Sequence, residues 1–140
     1  MDTTKFHLFG ATFYAFVIVD DFSHFTWVHF LTHKSESSNV FKSFVNKTQN
    51  ELGTNLIKVR SDEGGEFFNS DFENFCNDFG ITHQLSAART PQQNGVSERK
   101  NRTLIEMGRT MLNEYDLPKY FWAEEFSTAC YISNRVLLKK

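Results

Sequence analysis

Two carboxylates stand where they could hold a metal. Asp62 follows the stretch LIKVR (56–60) in the run RSDEGGEF, and Gly64 and Gly65 allow a sharp backbone turn beside it. A carboxylate at the C-terminal end of a strand lies where open α/β sheets place their ligands. Glu98 falls in PQQNGVSERKNRTL, expected in the first turn of a helix, with Arg102 four residues on and on the same face. Arg99 and Lys100 crowd that turn. A helix that offers one carboxylate to a metal and an arginine to a phosphate suits a nucleic-acid site. Each feature has a plainer reading by itself: a solvated acidic turn for Asp62, a helix-dipole carboxylate for Glu98, an ion pair with Glu98 for Arg102.

The charge pattern favours the joint reading. Net charge is −2, which alone does not advertise nucleic-acid binding. Residues 62–79 nevertheless hold Asp62, Glu63, Glu66, Asp71, Glu73 and Asp78 with no Lys or Arg. Residues 86–112 hold Arg89, Arg99, Lys100, Arg102 and Arg109 against Glu98 and Glu106. An acidic segment beside a basic one is what a site needing both cations and phosphates requires.

The elements that must position these residues are legible in outline. The 140 residues suit one domain, and 16 Phe predict a strongly aromatic core. YAFVIV (14–19) reads as a buried strand, DDFSH (20–24) as a turn and FTWVHFL (25–31) as an antiparallel strand. Ser35 is expected to cap a helix over about 36–52 with Phe41, Phe44, Val45 and Leu52 inward, stopped by Gly53. A third strand runs to Asp62. Asn69 or Ser70 caps a short helix with Phe72, Phe75, Cys76 and Phe79 inward and Gly80 as its stop, and ITHQL (81–85) is a fourth strand. SAARTPQQNG (86–95) reads as a polar loop, followed by a helix over about 96–114. Pro118 opens a last helix that buries Phe121, Trp122, Phe126, Ala129 and Val136. This order predicts an α/β layered domain with a mixed sheet.

Other chemistry is weakly supported. Cys76 and Cys130 lack zinc spacing and read as small buried hydrophobes. His29 and His33 fall on a strand and its exit, and His24 and His83 lack partner ligands, so zinc is not expected. No apolar run approaches the ~20 residues of a membrane span. Asp2, Lys5 and His7 interrupt any N-terminal signal region. The expectation is an intracellular chain with no membrane partner.

Asp62 and Glu98 are separated by 35 residues. RSDEGGEF followed by GITHQLSAARTPQQNGVSERKNRTL at that spacing closely resembles the catalytic core of copia-type retrotransposon integrases, and retroviral integrases share the arrangement. VIVDDFSHFTWVHFL and LPKYFWAEEFSTACYISNRVL extend the resemblance over about residues 14–137. It implies a ribonuclease H-like α/β fold, a mixed sheet flanked by helices. It also implies one integrase catalytic core domain over residues 1–140, a fragment without the family's N-terminal zinc-binding and C-terminal regions. Asp62 and Glu98 become the second and third members of an Asp, Asp, Glu triad. The triad holds two Mg²⁺ or Mn²⁺ ions ~4 Å apart, which activate the attacking oxygen and steady the leaving one. The implied activity is DNA integration: 3′ processing and strand transfer of retrotransposon DNA. The implied partners are element-end and target DNA and further copies of the chain, in the nucleus or a virus-like particle. Gln92, Gln93 and Asn94, in the loop before Glu98, are then expected to meet DNA together with Arg99, Lys100 and Arg102; composition alone describes that loop equally well as a Pro/Asn/Gly turn.

The chain departs from the family at the first carboxylate. Related cores carry a motif resembling Asp-Leu-x-Gly-Pro on the strand before YAFVIV. Here His7-Leu8-Phe9-Gly10-Ala11 is the best local match, with a shortened connection to Tyr14, so the first strand reads as degenerate. Asp2 is the alternative ligand. Asp20 and Asp21 follow a strand antiparallel to the first, belong at the opposite sheet edge, and read as a turn or cap. Two functions compete: a strand-transfer enzyme, intact or impaired, and a non-catalytic nucleic-acid-binding remnant, distinguished by the state of the first carboxylate. A ribonuclease H-like nuclease that cuts without joining is a third. The 35-residue spacing and NGVSERKNRTL favour the integrase branch.

Overall fold

A computed structural model describes residues 2–8, 11–61, 67–85, 91–116, 118 and 121–136; for 2–8, 11, 12 and 91–98 the description covers the backbone. The elements are β1 (Asp2–Leu8), β2 (Ala11–Val19), β3 (Thr26–Leu31), α1 (Ser37–Leu52), β4 (Lys58–Ser61), α2 (Ser70–Asp78), β5 (Thr82–Leu85), α3 (Pro91–Glu114) and α4 (Trp122–Val136). They fall into two compact units. One comprises residues 33–94, the other residues 2–32 and 95–140.

In the second unit β1, β2 and β3 form an antiparallel sheet in that order. The antiparallel β1–β2 pairing matches the expectation used to set Asp20 and Asp21 aside. Ala15 and Val17, alternate residues of β2, pack with Leu104 of α3 and with Phe126, Ala129 and Cys130 of α4. The β2–β3 turn is held by Asp20, whose Oδ2 accepts from Ser23 N–H at 2.8 Å and from Ser23 Oγ at 2.6 Å. His24 closes it in the left-handed region, φ 62°. Hydrogen bonding from the Ser23 hydroxyl holds the Asp20 carboxyl below its ordinary range. α4 is tied to β3 at two points: Thr26 N–H donates to Asn134 Oδ1 at 2.8 Å, and Asn134 Nδ2 donates to Thr26 O at 2.7 Å.

In the first unit β4 and β5 pair in parallel, Val59 opposite His83 and Ser61 opposite Leu85. The core is aromatic, as expected. Phe72 of α2 lies 5.5 Å from Phe41 of α1 and 5.2 Å from Phe67, ring centre to ring centre, and all three are buried. Asn69 caps α2, its Oδ1 accepting from Phe72 N–H at 2.9 Å. Gly53 and Gly80 take positive φ, 63° and 66°, as helix stops.

Three expectations need correction. The α3 helix begins at Pro91, so residues 91–95 are helical and not part of a loop; proline fits the first helical position, where its missing N–H has no helical acceptor. Residues 86–90 of the expected loop lie outside the described residues. Ser35 does not cap α1: it lies inside a 3₁₀ turn over Lys34–Glu36, with His33 N–H donating to Glu36 Oε2 and Ser37 Oγ to Lys34 O, and the helix expected over about 36–52 runs from Ser37 to Leu52 with Glu36 at its N-cap. Leu52, Phe79 and Val136 are exposed, not inward. All three sit at helix C-termini: periodicity fixes a face, not how far the neighbouring layer reaches along it.

Candidate active site

β4 ends at Ser61, and Asp62 is the next residue; Asp62 itself, with Gly64 and Gly65, lies outside the described residues. Glu98 is the eighth residue of α3, in its second turn and not its first, because the helix starts five residues early. That removes the helix-dipole explanation for its presence, which fades beyond the first turn. Its side chain, like those of Gln92, Gln93 and Asn94, lies outside the described residues; the backbone of all four is helical.

The cations of α3 separate into two kinds. Arg99 and Arg102 are exposed, and so are Glu106 and Arg109 further along. Spacings of three, four and three residues put these four in one stripe along the helix. Arg109 was not among the residues expected to bind nucleic acid, although its seven-residue spacing from Arg102 is readable. Lys100 is half-buried, and burial lowers its pKa, opposed by the Cys130 thiol. Its charge is less exposed than those of the two arginines. Asn101 and Leu104, between the arginines, are buried.

A buried polar chain adjoins the end of β4. Glu73 Oε1, in the first turn of α2, accepts from His83 Nδ1 at 2.5 Å, and His83 Nε2 lies 2.7 Å from Ser61 Oγ. The His83 side chain is 2% exposed and Ser61 is fully buried, whereas Glu73 keeps 47% of its side-chain surface. The Phe72 ring packs edge-on against the imidazole at 4.8 Å. Sequence reasoning left His83 without partners. Strand alternation alone did not reveal that α2 would bring Glu73 to it. Both cysteines are buried, as expected; burial, with Glu73 nearby, pushes the Cys76 thiol up to about 11. Among the described residues no group of three or more His, Cys, Asp or Glu could hold a metal, and no helix is long and apolar enough to cross a membrane.

The integrase core domain model matches residues 1–91, the stretch that contains β1–β5, α1, α2 and Asp62. The chain belongs to the integrase core domain family. The fold agrees: the chain superposes on a simian T-cell lymphotropic virus intasome, solved with the PP2A regulatory subunit B56 gamma, with a TM-score of 0.76 at 21% identity over 96% of this chain and 47% of that one. It superposes on the HTLV-2 integrase catalytic core domain, solved in complex with magnesium, with a TM-score of 0.70 at 23% identity over 96% of this chain and 82% of that one. The expected α/β, ribonuclease H-like architecture is borne out by these likenesses. Among curated relatives, this integrase core is 43% identical over 126 residues to the retrovirus-related Pol polyprotein from transposon TNT 1-94 of Nicotiana tabacum. It is 37% identical over 123 residues to that from transposon RE2 of Arabidopsis thaliana. The matches cover 90% and 88% of this chain but 10% and 8% of the polyproteins, so it spans about a tenth of each.

Proposed function

We propose that this chain is the catalytic core of a retrotransposon integrase, carrying out metal-dependent polynucleotidyl transfer in DNA integration. The family match over residues 1–91 carries the reading. The parallel pair β4–β5 supports it, because β4 ends at Ser61, directly before Asp62. Asp62 and Glu98 are the proposed metal ligands. Two carboxylates form an all-oxygen donor set, the chemistry that hard Mg²⁺ and Mn²⁺ prefer. Bound there, such ions would polarise a phosphodiester and favour the ionised form of the attacking hydroxyl. The chain's own groups would do the rest. Arg99, Arg102 and Arg109 form an exposed stripe suited to phosphate contacts. Gln92, Gln93 and Asn94 open α3, whose first-turn N–H groups favour a phosphate. Element-end and target DNA are the proposed substrates. The HTLV-2 core was solved in dimeric and trimeric forms, which supports self-association here. The nucleus or a virus-like particle is the proposed setting.

The strand register separates the two candidates for the first ligand. Asp2 pairs with Val17, in the row of β2 that packs on α3 and α4, whereas His7 pairs with Thr12, in the other row. The two candidates thus occupy opposite rows of β1.

The test of the metal reading is a Mn²⁺ titration of the chain, of Asp62→Asn and of Glu98→Gln. The chain should bind one Mn²⁺ weakly without DNA, and each variant should bind roughly tenfold or more weakly. Equal binding by all three would refute the site.

A further inference from the structure

We propose that His83 is a positioning residue for the metal carboxylate Asp62, acting through the hydroxyl of Ser61. The proposal rests on the metal reading above and adds to it a buried support. Three observations carry it. First, His83 is fixed from both sides: Glu73 accepts from Nδ1, and Nε2 meets Ser61 Oγ at 2.7 Å. An ionised carboxylate can only accept, so Glu73 sets the ring's tautomer; in the neutral ring Nε2 is then an acceptor, and the Ser61 hydroxyl donates to it. Second, the site is dry. With the imidazole 2% exposed, Ser61 fully buried and the Phe72 ring edge-on at 4.8 Å, water does not compete for these bonds. Third, Ser61 is the last residue of β4, and Asp62 follows it. Consecutive Cα atoms are ~3.8 Å apart, so holding Ser61 restricts where the next carboxylate can start.

The order Glu73, His83, Ser61 is also that of a nucleophilic triad. That role is excluded by burial: Ser61 is 0% exposed, so no substrate reaches its hydroxyl. A chain of hydrogen bonds running from a half-exposed carboxylate on α2 to the terminal residue of β4 instead does what supporting groups do around metal ligands, limiting the positions the ligand can take. His83 is therefore not itself a ligand, and its effect reaches the metal only through Ser61 and Asp62.

The test uses the full chain and Mn²⁺ as the probe, read by the electron paramagnetic resonance signal of free ion. Ser61→Ala removes the hydroxyl that meets His83 Nε2. His83→Phe keeps a ring against Phe72 and removes both hydrogen bonds. Each should weaken Mn²⁺ binding roughly tenfold while circular dichroism and the melting curve still report a folded chain. Glu73→Gln keeps an oxygen facing Nδ1 and should bind like the parent. In an Asp62→Asn background neither Ser61→Ala nor His83→Phe should change residual binding further. If His83→Phe does not fold, Ser61→Ala decides alone. Loss of binding in Asp62→Asn with parent-like binding in Ser61→Ala and in folded His83→Phe overturns this proposal and leaves the metal reading standing. Parent-like binding in Asp62→Asn overturns both.

Discussion

At the scale of single residues, the site depends on what each side chain can offer once its surroundings are known. The runs RSDEGGEF and SERKNR show which types are present, and the family spacing is the basis for proposing Asp62 and Glu98 as a pair. Burial is not legible there. Arg99, Lys100 and Arg102 look equivalent in the sequence, yet Lys100 is half-buried beside Cys130 while both arginines are exposed. A lysine's stem can lie along apolar surface, and only the position of α4 decides that it does. The arginines therefore make the sharper prediction. Arg102→Ala should weaken DNA binding about equally across sequences and lower the salt dependence of log K by about one unit, as expected for one lost phosphate contact. Affinities measured at several salt concentrations check it, and an unchanged slope would remove α3 from the DNA surface. Lys100→Ala should have a smaller effect on that slope.

At the scale of elements, strands and helix interiors are legible because hydrophobic periodicity reports them, and their ends are not. YAFVIV lies in β2, FTWVHFL lies in β3 except for Phe25, and Asn69 is a true cap. The start of α3 is hidden because Pro, Gln, Asn and Gly in PQQNG read as a turn. Local propensity is a weak prior, and the helix that continues through residues 96–114 overrides it. The turn between β2 and β3 is expected from DDFSH, and its chemistry gives a pH prediction. The Asp20 carboxyl is held below its ordinary range by Ser23. A carboxyl with a lowered folded-state pKa contributes stability that is present above its unfolded value of about 4 and lost as pH falls through the lowered value. Asp20→Ala should thus be less stable than the parent near neutral pH. Denaturant melts taken from about pH 6 down to about pH 2 should show that gap closing. A gap that stays constant over this range would mean the charge of Asp20 does not hold the turn.

At the scale of the whole molecule, the proposed activity would depend on whether three ligands can act together. In the family resemblance His7 takes the place of the first Asp. A neutral imidazole suits borderline metals better than Mg²⁺ and supplies no negative charge to bridge two hard cations. Strand transfer by the chain with Mg²⁺ should therefore be undetectable or very weak, with weak nicking in Mn²⁺. An oligonucleotide cleavage and joining assay on the chain, on Asp2→Asn and on His7→Asp tests this. Robust Mg²⁺-dependent joining by the unaltered chain would sink the idea, and its loss in Asp2→Asn would make Asp2 the third ligand. The gain should appear in His7→Asp.

The contact between α4 and β3 reaches beyond the active site. β3 is an outer strand of the three-stranded sheet, and an outer strand carries backbone groups that can recruit a foreign strand. At Thr26 the side-chain amide of Asn134 donates to the backbone C=O and accepts from the N–H, as the peptide group of a neighbouring strand would. Among the described residues no strand pairs with that side of β3, and the Asn134 side chain occupies the hydrogen-bonding groups of Thr26 there, which would close that stretch of edge to intruders. Asn134→Ala should leave the Thr26 N–H without this partner in a buried place, costing about 1–3 kcal/mol, while the Thr26 C=O keeps the Cys130 thiol as a donor at 3.3 Å. Light scattering during slow heating should then show the variant clumping at lower temperature than the parent, by more than a surface alanine substitution such as Glu124→Ala. If the two variants cluster alike, the Asn134 amide guards nothing.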